Sequence, residues 1–184
     1  VAVTAKEGLK NLAVPEADAA ILAKLAEADA KSMAVLFELA GARRIAAAAG
    51  RIRESLASSD ESVKLAALAA LGQLIAVQDL ELLTSRALAG GNAPETVAAQ
   101  AALRMAALRM ADREATAAKL AASLSGASAE NQAYLLELLG KVSGKKALQT
   151  VVSAAKSSDA ALKEAATKAL GEWPNPEAAD ALLD

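Results

Sequence analysis

Cysteine and histidine are absent from this 184-residue chain, and Phe, Trp and Tyr occur once each. Without a thiol there is no disulfide, no thiolate nucleophile and no thiolate-held metal; without an imidazole there is no His ligand and no Ser-His-Asp relay. Zinc centres, haem held by the chain and His-based hydrolysis are excluded, and no cofactor is expected. The lack of Cys fits any compartment, so a cytoplasmic location and export within a larger protein both stay open. Charge of one sign is lacking too: 20 basic against 22 acidic residues leave a net charge of −2. Three aromatics and no cationic excess offer neither a stacking platform nor a field for a polyanion, so nucleic acid is not an expected partner. The longest apolar run, Leu65 to Val77, is interrupted by Gly72 and Gln73. It falls short of the roughly 20 residues needed to span a bilayer and reads as a buried helix. The chain opens at Val1 with no basic stretch leading into an apolar one. It therefore does not resemble a signal peptide, and a processed or excised piece of a longer protein is expected.

What is present is alanine and leucine, 52 and 28 residues. Two strong helix formers at that abundance predict an all-α fold. With so few aromatics the core must be aliphatic, and small side chains let helices approach closely.

The chain repeats itself. Leu36-Phe37-Glu38-Leu39-Ala40-Gly41, Leu68-Ala69-Ala70-Leu71-Gly72, Leu135-Leu136-Glu137-Leu138-Leu139-Gly140 and Lys168-Ala169-Leu170-Gly171 share one ending. Met105-Ala106-Ala107-Leu108-Arg109 supplies a further copy. Taking Lys10, Gly41, Gly72, Arg109, Gly140 and Gly171 as equivalent gives spacings of 31, 31, 37, 31 and 31. The six extra residues are expected in Ala89 to Pro94. Eleven residues after each anchor stand Ile21, Ile52, Leu83, Leu120, Val151 and Leu182; fifteen after stand Leu25, Leu56, Ala87, Leu124 and Ala155. Twelve before stand Asp29, Asp60, Ser128 and Asp159. Agreement at several offsets is the signature of a repeat architecture.

Each unit reads as two helices. The first is expected to start at a capping Asp or Ser and to end at its Gly in the left-handed conformation. The second carries an apolar stripe such as Leu80, Leu83 and Ala87. Pro15, Pro94 and Pro176 fall at expected helix starts, with Asn92 and Asn175 as expected caps before the last two. One helix pair cannot bury its own apolar face, so neighbours must stack. The expectation is a right-handed α-α superhelix, an armadillo-like solenoid of about six two-helix repeats. It forms one domain over 1–184, with units near 1–28, 29–58, 59–91, 92–126, 127–157 and 158–184.

In Ser62-Val63-Lys64-Leu65-Ala66-Ala67-Leu68-Ala69-Ala70-Leu71-Gly72 and Ala161-Leu162-Lys163-Glu164-Ala165-Ala166-Thr167-Lys168-Ala169-Leu170-Gly171 the chain resembles the HEAT-like repeat family. The similarity is to its short variety, found in phycobilisome lyases. It covers nearly the whole chain and implies the fold, because the shared residues are packing and turn residues. No residue carries bilin-lyase activity over to this chain. Arg109 departs from the expected Gly, which implies that its helix ends differently or runs on. The run Ala169-Leu170-Gly171-Glu172-Trp173-Pro174 is similar to HEAT-like segments of large modular bacterial proteins, some exported and attached to haem-binding or sugar-active domains.

Among candidate sites, Arg43, Arg44, Arg51 and Arg53 form the densest basic cluster. Arg44 and Arg51, seven apart, would share one face of a second helix, and Arg86 and Lys119 would extend that ridge toward an acidic protein partner. The competing reading is a solvated face balanced by Glu38 and Glu54. The carboxylates Glu16, Asp18, Asp60, Glu61, Asp79 and Glu81 gather at expected helix starts, where capping accounts for them. Tyr134, six before its anchor, is expected in the core. Met105 and Met110 with Arg104, Arg109 and Arg113 would make an adaptable binding patch, but Met105, at the position of Phe37, Leu68 and Leu136, is expected in the core. Trp173 is expected to pack against the following turn, and Gly90-Gly91-Asn92 to be a loop. These residues point to a noncatalytic protein-interaction or scaffolding module whose partner is another protein or other domains of the same chain. The alternative is a spacer within a larger exported enzyme or haem-binding protein.

Overall fold

The computed structural model describes residues 15–90, 93–174 and 176–179. Among them the fold is all-helical, with no strand. The chain divides into two compact units, Val1–Ala106 and Ala107–Asp184.

In the first unit α1 (Pro15–Glu27) and α2 (Ala30–Ala42) are followed by a short 3₁₀ turn leading into α3 (Ala49–Glu54). Then come α4 (Glu61–Leu74), α5 (Leu80–Leu88) and α6 (Ala93–Arg109), within which the unit boundary falls. The second unit holds α7 (Arg113–Ala122), α8 (Ala129–Val142), α9 (Lys145–Ala155), α10 (Ala160–Gly171) and a 3₁₀ turn at Pro176–Ala178.

The expected caps form. Asp29 accepts from the Ser32 amide, Asp60 from Ser62 and Val63, Ser128 from Asn131, and Asp159 from Ala161 and Leu162. Each satisfies one or two of the amides a helix start leaves without intrahelical partners. Pro15 begins α1, Pro94 sits in the first turn of α6, and Pro176 begins the last 3₁₀ turn. Asn92 and Asn175 lie outside the described residues, as do Lys10 and Leu182. The second-helix positions Ile52, Leu83, Leu120 and Val151 are fully buried. They form the aliphatic spine of their units together with Phe37, Leu68, Leu71, Leu136 and Leu139.

The anchor glycines do a different job from the one expected. Gly41, Gly72 and Gly140 lie inside their helices, and the described left-handed glycines are Gly90, Gly126 and Gly144. Gly90 and Gly126 follow second helices, α5 and α7, rather than first ones. Gly41 and Gly72 instead let first helices of successive repeats approach closely. A Cβ on Gly41 would lie 3.0 Å from the Ala70 Cα, and one on Gly72 only 2.9 Å from the Ala102 Cα and carbonyl oxygen. One on Gly140 would lie 3.4 Å from the Ala169 oxygen, and one on Gly171 would meet nothing within 4 Å.

These contacts also correct the repeat register. Ala70 and Ala169 stand two residues before their anchors, so Ala102 identifies Arg104, not Arg109, as the equivalent position. Helix starts agree: Ala30, Glu61, Ala129 and Ala160 precede their anchors by eleven residues, and Ala93 precedes Arg104 by eleven. One extra residue therefore precedes α6 and five follow Arg104, where α6 runs to 17 residues against the 12 to 14 of α2, α4, α8 and α10. Met105 then falls one residue past the anchor, in the position of Ala42 and Lys141. It is 46% exposed and is not a core residue. Ala99, Ala102, Leu103, Ala106, Ala107 and Met110 fill the core instead.

Tyr134 is half-buried rather than in the core, as are Ala66 and Ala165 at the same offset, while Val35 is exposed. Trp173 is buried.

Candidate functional site

The basic ridge does not assemble as a helix face. Arg44 lies in the turn after α2, with φ of 55°, so it shares no helix with Arg51 on α3. A non-glycine residue in the left-handed region points its side chain on a course no helical position shares. Arg44 is exposed. Arg51 is exposed and faces Glu54 at 3.5 Å. Its neighbours are committed elsewhere: Arg43, its side chain 8% exposed, donates to Asp18 at 2.5 Å, and Arg53 pairs with Asp79 at 2.6 Å. Arg86 donates to Glu95 at 2.9 Å and to the Leu56 carbonyl at 3.4 Å. Lys119, on α7 of the second unit, is exposed.

Glu95 joins two basic side chains from different helices of the first unit. Its two carboxylate oxygens accept from Lys64 at 3.1 Å and Arg86 at 2.9 Å, and all three side chains are mostly buried. The Lys64 hydrogen bond first, and then Arg86, hold the Glu95 carboxyl below the ordinary range. Asp60 and Asp29 are also held low, chiefly by hydrogen bonds from the Ser62 and Ser32 side chains. All three contributions are those of caps and bridges between neighbouring helices.

In the second unit Glu114 on α7 reaches the start of α9. Its two oxygens accept from the Lys145 and Lys146 amides at 2.8 and 2.9 Å. The approach needs a residue without a Cβ: one on Gly144, where φ is 94°, would sit 2.7 Å from the Glu114 Oε1. Arg113 donates to the Ser143 hydroxyl in the same turn at 3.0 Å.

Two surface features escaped the sequence reading. The first is a stripe on α6: Val97, Ala101, Met105 and Leu108 are all exposed, at steps of four, four and three residues. Three of the four large aliphatic side chains that the described residues expose lie on this helix, at 65%, 46% and 49% exposure. Steps of three and four keep residues on one helix face, so the stripe is continuous over about 16 Å. Register concealed it, because the anchor at Arg109 placed Met105 in the core. The second is a groove of about 690 Å³ between α8 and α10. Its floor is alanine, and Glu137, Glu164, Lys168, Glu172 and Tyr134 line its sides.

No group of three or more acidic residues among the described residues is gathered closely enough to hold a metal ion, and no described helix is long and apolar enough to cross a membrane. No curated protein matches the chain. Residues 117–184, which run from α7 to the chain end, match the family model of HEAT repeats, and this supports a HEAT-like repeat family for the protein.

Proposed function

We propose that this protein is a noncatalytic protein-interaction or scaffolding module. The carrying observation is a division of labour among residues. Positions that recur from unit to unit are caps, close-approach glycines or buried aliphatics, whereas the exposed Val97-Ala101-Met105-Leu108 stripe lies on α6, which breaks the repeat among the described first helices. An exposed apolar stripe on an otherwise charged surface is a contact surface for another protein. Arg44 and Lys119, exposed in separate units, carry the reading of an acidic partner, since Arg51 and Arg86 already face carboxylates.

The test is a Met105→Glu, Leu108→Glu variant compared with the parent chain in crosslinking and capture experiments, with circular dichroism and melting as the fold control. The expected outcome is an unchanged melt with loss of the captured protein. Unfolding of the variant would show the stripe to be core, and unchanged capture would remove it from the interaction surface.

A further inference from the structure

Beside the contact of Gly140 with Ala169, the α8–α10 groove leaves a pattern of alanines and charges open at the surface. Its floor is built at helical steps, with Ala129 and Ala133 on α8 and Ala161, Ala165 and Ala169 on α10. Small residues in step on two neighbouring helices leave a trough into which a third helix can settle at the close interaxial distances of helix packing. One wall is a charge sequence on and just past α10: Glu164 and Lys168 within the helix and Glu172 at its C-cap, four residues apart, all exposed and none in an ion pair among the described residues. The opposite wall differs, because Glu137 is already paired with Lys141 at 2.5 Å. Tyr134 stands at the α8 side, where the equivalent residues of other units are Val35, Ala66 and Ala165.

We propose that this groove docks an amphipathic helix of a partner protein, one that presents a cation, an acid and a cation at four-residue steps beside a small or aliphatic face. Charge complementarity selects this occupant. Glu164 lies on α10 and Glu172 at its C-cap, eight residues on and so about 12 Å away at the helical rise. A helix lying alongside repeats at the same rise, and its Lys or Arg residues at i and i+8 meet the two glutamates while an acid at i+4 meets Lys168. The alternating order gives register as well as attraction, since a slip of four residues sets like charges against each other. The alanine floor admits the apolar face, in the manner of a helix seated in a groove. This surface is separate from the α6 stripe, so either can fail without the other.

The experiment titrates the full 184-residue chain against two fluorescein-labelled peptides with the same alanine-leucine face. One carries Lys, Glu and Lys at four-residue steps, the other Glu, Lys and Glu, and binding is read by fluorescence anisotropy. The Lys-Glu-Lys peptide is expected to bind at least tenfold more tightly, with affinity falling as salt is raised. Glu164→Lys with Glu172→Lys should reverse the preference, and Ala165→Leu, which fills the floor from an already half-buried position, should abolish binding. Met105→Glu should leave it unchanged. Circular dichroism of each variant establishes that it is folded; if Ala165→Leu unfolds, the charge reversal alone decides. Equal affinity for the two peptides, no binding of either, or a preference that survives the Glu→Lys exchange would overturn the proposal.

Discussion

The α2–α4 and α8–α10 crossings begin from nearly the same words, Leu36-Phe37-Glu38-Leu39-Ala40-Gly41 in one and Leu135-Leu136-Glu137-Leu138-Leu139-Gly140 in the other. At the first, a Cβ on Gly41 would press on the Ala70 backbone at 3.0 Å; at the second, a Cβ on Gly140 would meet Ala169 at ordinary contact, and the helices leave a groove. The buried leucines are alike, so the repeat motif determines the core. What differs lies off the motif: Tyr134 lines the groove at the offset held by Val35 in α2. A repeat can thus hold its interior constant while its outer helix pair varies.

Truncating the shared core gives the largest expected effects and tests whether the two crossings are equal inside. Leu68→Ala and Leu136→Ala both remove fully buried side chains at the same repeat offset. Each should cost about 3 kcal/mol in denaturant unfolding, and a difference of more than about 1.5 kcal/mol between them would break the equivalence. Next come the glycines, where the crossings should part. Gly72→Ala and Gly41→Ala place a methyl against backbone and should destabilise by about 1–2 kcal/mol. Gly140→Ala should be neutral or stabilising by up to about 1 kcal/mol, since it meets only ordinary contact and lowers the entropy of the unfolded chain. Thermal melts of the three variants would show whether close approach is the reason for the glycines.

Smaller still is the cap of α8. Ser128→Ala should cost about 1 kcal/mol, and Ser128→Asp should recover it. Acid sharpens the comparison last. Asp29 caps α2 with a carboxyl held below its ordinary value, whereas Ser128 caps α8 with a hydroxyl that does not titrate in this range. A depressed folded-state value means the stabilisation is present above the unfolded pKa and disappears as pH falls through the folded one. The protection of amides at the start of α2, relative to their intrinsic exchange rates, should therefore fall on acidification below about pH 4, and that at the start of α8 should not. The same sign applies to Asp60 and Glu95, whose carboxyls are also held low.

Much of this was legible in the sequence because the signals were local or periodic. The caps Asp29, Asp60, Ser128 and Asp159 needed only a hydrogen-bonding side chain before an apolar run. Ile52, Leu83, Leu120 and Val151 needed only a constant offset. The role of the glycines was not legible, because close approach to another helix and a left-handed turn demand the same residue for different reasons. The register of α6 was lost for a related cause: Arg104 and Arg109 are both arginines, and the contact of Gly72 with Ala102 and the helix start at Ala93 separate them. The basic ridge dissolved because φ at Arg44 and the partners of Arg51 and Arg86 are tertiary facts. The groove could not be foreseen, since its floor and wall come from two helices whose separation no spacing encodes.

Four of the bonds that tie one repeat to the next have nearly the same reach: Lys64 to Glu95 spans 31 residues, Arg86 to Leu56 30, Arg113 to Ser143 30 and Glu114 to Lys145 31. Each closes a loop of similar length, so the entropy lost on closure comes in equal modest steps and no contact of this kind waits for distant chain to arrive. Contacts of such short range favour rapid folding. During synthesis the helix pairs joined by these bonds can dock soon after they emerge, within each compact unit, onto a neighbour made only about 30 residues earlier.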